Sequence, residues 1–340
     1  MRHSLALCVL LPVLAQPALA QPALAQRPPA EPPRVSPYAG GSLTLGDEND
    51  FFGGTDRYYS NGLMLRWDSP ATTPEGPVAW LDRGFSWLLG PGEFRWGLAL
   101  EQTIFTPEEI RRRVPDPRDR PYAGHLVGSL NLERSTERVR TALSFQLGVT
   151  GAASGGEFVQ NRWHDVINKY HAEGWDNQLG DEVTFGVLAE RQWRIPGRRI
   201  AGLDTELMPT TSLALGTAYT YAGGGALLRI GDALGADWGP ARIRPAISNS
   251  PLSRPQHDLG WYAFAGLGGR VVARNLFLDG NTFRDSPSVD RRPVVAEAQI
   301  GAAVLWRGMR LAYTHVWQSK EFNEQRGGQA FGSISLTVPF

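Results

Sequence analysis

The chain ends on the sequence GSISLTVPF, Gly332 to Phe340, and this stretch decides between two folds that alternating strands can build. Ile334, Leu336 and Val338 alternate with serine, threonine and proline, and the last residue is aromatic. Successive side chains of a strand point to opposite faces, so the stretch predicts a strand with one apolar face. That face turns inward in a soluble sandwich and meets lipid in an outer-membrane barrel.

The aromatic end of this strand favours the barrel. A terminal strand that alternates in this way and stops on Phe340 resembles the segment that the outer-membrane assembly machinery recognises. A closing strand that faces lipid needs the same alternation. We therefore expect the protein in the bacterial outer membrane, with that assembly machinery as a partner.

The same period of two recurs along most of the chain. Trp96, Leu98 and Leu100 form one apolar face, and a second such face lies between residues 139 and 149. Cutting the sequence at turn-forming residues predicts about twelve strands, and bacterial barrels have an even number. The strands are expected near residues 40–46, 58–67, 94–105, 122–133, 138–149, 183–194, 203–216, 218–230, 260–274, 293–306, 309–319 and 329–340. The predicted fold is all-β, a transmembrane antiparallel β-barrel over residues 39–340.

Two short helices are predicted between the strands. The first covers residues 75–90 and is expected at the periplasmic interface. The second covers residues 156–170, inside the long connection from Thr150 to Glu182, where apolar residues repeat at helical spacing. These apolar residues are expected to pack on the barrel rim: Val159, Trp163, Val166 and Tyr170.

The N-terminus has the pattern of a signal peptide over residues 1–25. A short positive start precedes an apolar run from Ser4 to Leu14, and alanine-x-alanine cleavage patterns follow. The run is about 11 residues, whereas a membrane span needs roughly 20. The single cysteine, Cys8, lies in this leader, so the rest of the chain has no thiol chemistry. Residues 26–38 are predicted to form a proline-rich arm.

Charge and motifs exclude several functions. The chain has 34 basic and 34 acidic residues, which gives no electrostatic case for binding nucleic acid. It contains neither the Gly-x-Ser-x-Gly motif of serine hydrolases nor the His-Glu-x-x-His motif of zinc proteases. The sequence does not indicate an oligomeric state.

The order of the strands places three polar segments at one end of the barrel. If the first strand runs outward, the connections that follow odd-numbered strands all lie outside the cell. The segments Asp47–Arg57, Thr106–Pro121 and Thr150–Glu182 are connections of this kind. We therefore expect their polar side chains to converge on the outer rim.

Residues on this rim have the chemistry of ester hydrolysis, which needs an activated water and a stabilised oxyanion. His164 can activate water, and Gln160 lies one turn before it on the same helix face. Asn49, Asp50 and Ser60 offer oxygen ligands for a hard cation. Taken singly, these residues also fit an ordinary turn, a packing histidine or a strand residue that faces the lumen.

The sequence also resembles a known family through an ordered set of motifs. The resemblance covers essentially the whole chain after the leader, and the ordered combination of motifs is more specific than any one of them. The matching motifs are Glu48-Asn49-Asp50-Phe51, Asp56-Arg57-Tyr58-Tyr59-Ser60-Asn61-Gly62, Phe105-Thr106-Pro107, Asp119-Arg120-Pro121-Tyr122-Ala123-Gly124, Gln160-x-x-x-His164, Gly174-Trp175-Asp176-Asn177-Gln178 and Phe277-Leu278-Asp279-Gly280-Asn281-Thr282-Phe283. The family that this set resembles is that of the calcium-dependent lipid A 3'-O-deacylases of the outer membrane.

The resemblance implies a twelve-stranded barrel that removes the 3'-linked acyloxyacyl chain from lipid A, the lipid of lipopolysaccharide, in the outer leaflet with the help of Ca²⁺. Asn49 and Asp50 match the calcium and active-site pair of the family, and Ser60 matches its hydroxyl position. His164 matches the base that activates water, and Gln160 matches the residue one turn before it.

Three further residues are predicted to contact the substrate. Arg120 is expected to bind a lipid A phosphate from the rim through two hydrogen bonds. Tyr122 lies next to it, and the alternative for this pair is a rim turn with an interfacial tyrosine. Glu173 is, with His171, a candidate for the acidic partner that the family implies.

The chain departs from the family in two respects, of which the unplaced acidic partner is one. The resemblance implies a functional lysine, but Lys169 and Lys320, the two lysines of the chain, do not lie in an equivalent motif. Two other functions also fit the pattern: a pore or adhesin whose rim motifs are structural, and a phospholipase that acts on glycerophospholipids with similar ester chemistry.

Overall fold

The computed structural model describes residues 40–54, 57–243 and 258–340. The predicted signal peptide and the whole predicted proline-rich arm lie outside these residues. In the described part the strands are β1 (Ser42–Asn49), β2 (Tyr58–Asp68), β3 (Glu93–Thr106), β4 (Ala123–Ser135), β5 (Val139–Thr150), β6 (Glu182–Trp193), β7 (Ile195–Pro196), β8 (Asp204–Gly216), β9 (Tyr219–Gly231), β10 (Leu259–Asn275), β11 (Val294–Trp306), β12 (Met309–Gln318) and β13 (Gln329–Pro339).

Twelve of these strands form one closed antiparallel barrel, which confirms the predicted fold. Each strand pairs with its sequence neighbours, and the C-terminal strand β13 pairs with β1 from Ser42↔Pro339 to Asn49↔Gly332. β6 pairs with β8 and completes the circle, while the two-residue β7 pairs only with β8. Closure leaves no unpaired edge, which a sheet surrounded by lipid requires.

The barrel exposes its apolar face and buries its polar face. On β3, the outward-facing Leu98 and Leu100 are each 50% exposed, whereas the inward-facing Glu101 is 7% exposed. The interior holds arginines that are paired with carboxylates. Arg140, for example, donates to Glu133, Glu190 and Gln192. Apolar side chains outside and polar side chains inside are the arrangement expected of a barrel that is surrounded by lipid.

The helices are α1 (Gly76–Leu89), α2 (Gly156–Val166) and the single turn α3 (Leu276–Asp279). Among the described residues no helix is both long and apolar enough to cross a membrane. α1 lies at the end of the barrel predicted to be periplasmic and packs on a cluster that includes Leu132 and Leu143. Its Asp82 forms an ion pair with Arg134 of β4 at 2.8 Å.

The connection after β9 enters the barrel, and its described residues 232–243 are called the lumen segment. Its Asp237 accepts hydrogen bonds from Tyr262 at 2.8 Å and from Arg310 at 2.6 Å. Arg242, at the far end of the segment, pairs with Glu48 at 2.9 Å. Sequence patterning gave no indication of this segment, because its contacts are with residues distant along the chain.

The connections after β1, β3 and β5 lie at the same end of the barrel, here called the outer rim, as the strand order predicted. The third of these connections carries α2. The rim therefore brings three separated stretches of sequence to one place.

Candidate active site

α2 packs on the outer surface of the barrel wall, against β3 and β4. The contact is close because Gly124 of β4 faces Gly156 of the helix. A Cβ at Gly124 would lie 3.1 Å from the Gly156 Cα and 2.1 Å from the Ser154 hydroxyl oxygen. Gln102, on the outward face of β3, donates from Nε2 to the Ser154 carbonyl at 2.7 Å. The helix is thus held against the wall on the side that faces the membrane.

The face of α2 that packs on the wall differs from the predicted one. Gly156, Gln160 and His164 are buried, whereas Val166 is 77% exposed and Trp163 is 39% exposed. The expectation that the whole apolar stripe packs on the rim was therefore wrong. Outside a membrane barrel the surroundings include lipid, so apolar side chains need no protein cover there.

The opposite side of the site is built by the end of β1 and the start of β2. The Asn49 side chain caps the 3-10 turn Asp50–Gly53 by accepting from the Phe51 amide at 2.8 Å. Asp50 Oδ2 accepts from the Arg57 amide at 2.5 Å. The register shifts between Tyr59 and Asn61, and this irregularity contains Ser60. These backbone contacts fix the carboxylate and the hydroxyl at the edge of the wall.

A cleft of about 310 Å³ separates these two sides. It brings together all five residues that the sequence predicted as catalytic, and it adds two polar residues and three apolar ones. The lining residues are Asn49, Asp50, Phe51, Ser60, Asn61, Gln160, Trp163, His164, Ile167 and Lys169. Residues more than a hundred positions apart in sequence therefore share one small space.

The His164 ring is oriented by its own loop. Its Nδ1 lies 2.6 Å from the carbonyl oxygen of Tyr170. A carbonyl oxygen can only accept, so Nδ1 carries the proton, and in the neutral ring the lone pair is on Nε2. Holding one ring nitrogen in this way selects the tautomer that can take a proton at the other.

Gln160 is oriented by a tryptophan. Its Oε1 accepts from the Trp175 indole at 2.9 Å. Because an indole N–H can only donate, the amide oxygen must face Trp175, and the amide nitrogen is directed elsewhere. Gln160 Nε2 is buried and has no hydrogen-bond partner among the described residues. It is a donor that a ligand in the cleft can satisfy.

The oxygen atoms of the cleft fit a calcium ion. The resemblance implies this metal, and Ca²⁺ prefers carboxylate, amide and hydroxyl oxygens. Asn61 Oδ1 is buried and, within the described ranges, accepts no hydrogen bond. Asp50, Asn49 and Ser60 supply further oxygens beside it. No group of three histidine, cysteine or carboxylate residues that suits a metal occurs in the described part of the chain.

Comparison with known proteins identifies the family. The sequence model of the outer membrane protein LpxR matches residues 5–340. The chain belongs to the LpxR family. LpxR from Salmonella typhimurium shares the fold with a TM-score of 0.72 and 21% identity, over 88% of this chain and 100% of that chain. Family membership and barrel fold place this protein in the bacterial outer membrane.

Other similarities are weaker. The β domain of the Bordetella autotransporter BrkA matches with a TM-score of 0.44 and 13% identity, over 88% of this chain and 99% of that chain. None of the curated proteins matches the sequence.

Lys169 lines the cleft of this LpxR-family protein, although its sequence position gave no reason to expect it there. The backbone turns back after α2, since Asn168 has φ of 55° and the Lys169 amide donates to the His164 carbonyl at 2.8 Å. This is the pattern of a Schellman helix end. The Lys169 ammonium lies 5.7 Å from the centre of the Phe51 ring. The turn therefore returns a cation to the site.

Two residues that were predicted to contact the substrate are buried in the structure. Arg120 is fully buried, stacks on the Phe105 ring and donates to Glu321 at 3.2 Å. Tyr122 is also fully buried, and its hydroxyl donates to the Ile110 carbonyl at 2.9 Å. Neither side chain is exposed at the rim, and the role of each as a lipid A contact stays a prediction. Tyr122 packs with Ile110 and Trp175 beneath α2, whereas Arg120 is directed at Glu321.

The candidates for the acidic partner lie on the surface of the loop. Glu173 is exposed and is not among the residues that line the cleft. His171 contacts Asp165 at 2.7 Å, and this hydrogen bond lowers the pKa of Asp165. The structure thus brings neither residue to the site. Asn61 and Lys169 are the polar lining residues that sequence reasoning missed.

Proposed function

We propose that this protein is an outer-membrane esterase that removes the 3'-linked acyloxyacyl chain of lipid A. The observation that carries the proposal is the shared cleft: a histidine oriented as a base faces a cluster of oxygen ligands across a small space. The Asp50 side and the His164 side come from separate connections, so their meeting is a property of the folded barrel.

We propose that Asp50, Asn49, Ser60 and Asn61 hold a calcium ion. When bound, the ion would polarise the ester carbonyl and stabilise negative charge on its oxygen. The oxygen atom of Asn61 supports this assignment because it is buried among potential ligands. A single carboxylate among the proposed ligands favours moderate rather than tight binding.

The protein side chains would divide the hydrolysis between them. His164 Nε2 takes a proton from a water as the water oxygen attacks the ester carbon. The Gln160 amide nitrogen donates to the oxygen that gains negative charge, as an oxyanion hole does. The bond to the sugar oxygen then breaks, and the proton on His164 passes to that oxygen. The products are a free fatty acid and a lipid A hydroxyl.

The position of the cleft supports a lipid substrate. It opens beside Phe51, Trp163 and Ile167 on the outside of the wall, next to the apolar belt of the barrel. Acyl chains in the outer leaflet reach this surface without leaving the membrane. The ester at the polar end of such a chain would lie at the level of the rim.

The barrel interior disfavours the alternative of a pore. The lumen segment and its ion pairs occupy the inside, with Arg229, Arg242 and Arg310 fully buried among carboxylates. The phospholipase alternative uses the same chemistry, so only the product distinguishes it from the proposed reaction.

Mass spectrometry of lipid A tests the proposal. Cells that produce the protein are expected to lose the 3'-acyloxyacyl group, and cells with His164→Ala or Asp50→Ala are expected to retain it. His315→Ala is the matched control, since His315 lies on β12 away from the cleft, and it should behave as the wild type. Unchanged lipid A with a folded wild-type barrel in the outer membrane would contradict the proposal. Fatty acid release from glycerophospholipids alone would favour the phospholipase.

A further inference from the structure

The inner surface of the barrel directly behind the cleft is occupied by an ion pair. Glu48 precedes Asn49 on β1, and Tyr59 precedes Ser60 on β2. Because side chains alternate across a strand, the Glu48 side chain points into the lumen and the Asn49 side chain points to the outer surface. The same short stretches of backbone therefore carry the site on one side and the lumen contacts on the other.

The end of the lumen segment binds this inner surface. Arg242 Nε donates to Glu48 Oε1 at 2.9 Å, and the Ile243 amide donates to the same oxygen at 3.2 Å. The Tyr59 hydroxyl donates to Glu48 Oε2 at 2.9 Å. Both oxygens of the Glu48 carboxylate are thus engaged, and they join the lumen segment to β1 and β2.

Arg242 is itself anchored across the lumen. Its Nη1 donates to Glu297 at 3.0 Å and to Gln299 at 2.8 Å, both on β11. Arg242 and Glu48 are each 1% exposed. Because both charged groups are buried, breaking one of these contacts would leave a buried charge without its partner, so the paired groups resist displacement.

We propose that Arg242 and Glu48 are positioning residues for the cleft on the other side of the wall. By holding the end of β1 and the start of β2, they set the distance between the Asp50 side of the cleft and His164 on α2. The activity test of this inference rests on the proposed esterase function. The coupling between the ion pair and the ends of β1 and β2 can be measured without it.

The main test compares Arg242→Met with a matched control, Arg140→Met. Both arginines are 1% exposed, and each binds two glutamates and one glutamine inside the barrel. Arg140 binds residues of β4 and β6, not those behind the cleft. Arg242→Met is expected to lower kcat on purified lipopolysaccharide by about ten-fold or more with little change in KM, because misplaced catalytic groups slow the chemical step. Arg140→Met should keep the wild-type kcat.

Heat-modifiable migration on gels shows whether Arg242→Met folds. If it does not fold, a milder pair of variants replaces it. Tyr59→Phe removes only the hydroxyl that donates to Glu48 and keeps the ring contacts with Phe105 and Phe331. Tyr262→Phe removes a similar buried hydroxyl, which donates to Asp237 of the lumen segment. Tyr59→Phe is expected to lower kcat several-fold, and Tyr262→Phe is not. If both variants of a pair fold and lower kcat by the same factor, the proposal is overturned.

Hydrogen–deuterium exchange gives a readout that does not depend on activity. Amides of residues 47–61 are expected to exchange faster in Arg242→Met or Tyr59→Phe than in the wild type, and to remain unchanged in the two controls. If the wild type hydrolyses no lipid ester but this exchange pattern appears, the proposed function fails and the coupling stands. If the wild type is active and exchange in this segment is unaltered, the coupling fails alone.

Discussion

The ammonium group of Lys169 lies in a cleft whose proposed chemistry creates negative charge on an ester oxygen. A fixed cation near developing negative charge stabilises the transition state more than the ground state. Gln160 Nε2, which has no partner among the residues that the structure describes, would act on the same oxygen. Both donors line the cleft that the proposed calcium ligands also line.

Replacement of this lysine tests its contribution. Lys169→Met is expected to lower kcat/KM by roughly one hundred-fold, the typical effect of removing one donor to an oxyanion. The measurement is fatty acid release from purified lipopolysaccharide by the folded protein in detergent.

The chain provides its own control for that experiment. Lys320, the other lysine, lies in the connection after β12 and outside the cleft, so Lys320→Met should retain full activity. Equal activity of the two variants would show that Lys169 has no role in the reaction.

At the level of elements, the site depends on how closely α2 approaches the wall. Gly124 and Gly156 allow the backbones of β4 and the helix to touch. Since Gln160 and His164 are carried by the helix while Asp50 is carried by the turn after β1, any gap at this contact widens the cleft. The barrel strands pair without the helix, so their stability does not depend on it.

Gly124→Ala is therefore expected to reduce activity strongly while the barrel remains folded. The added Cβ would lie 2.1 Å from the Ser154 oxygen, which forces the connection before α2 to shift. Gly128→Ala is the control on the same outward face of β4, because a Cβ there meets its nearest atom at 3.8 Å. Activity is measured beside heat-modifiable migration. Wild-type activity in Gly124→Ala would show that the close contact is not needed.

In the whole molecule, the fold and the proposed metal site are energetically separate. The barrel is held by continuous strand pairing around its circumference and by interior ion pairs such as Arg229 with Asp237. The proposed calcium ligands lie at the edge of the wall and contribute no strand pairing beyond the ends of β1 and β2.

Removal of calcium is thus expected to abolish activity without unfolding the barrel. Chelation should eliminate fatty acid release, and addition of Ca²⁺ should restore it. Heat-modifiable migration on gels should be the same with and without chelator. Loss of the folded form on chelation would show that the metal also supports the fold.

Patterns of period two let the sequence predict much of this molecule. Strand positions follow from alternation and turn residues; β10, expected near 260–274, spans Leu259–Asn275. The shared rim followed from strand order, and the five predicted catalytic residues line one cleft. These properties depend on neighbours in sequence or on the topology of a closed antiparallel sheet, so local patterns suffice to determine them.

Other properties were decided only by the tertiary structure. The polar face of α2 packs on the wall, Arg120 turns inward to Glu321, and Lys169 is returned to the cleft by the turn at Asn168. The lumen segment reaches Glu48 from nearly two hundred residues away. Each of these depends on contacts between stretches that are far apart in sequence. Whether a side chain meets lipid, water or a buried charge is decided only after the barrel has closed.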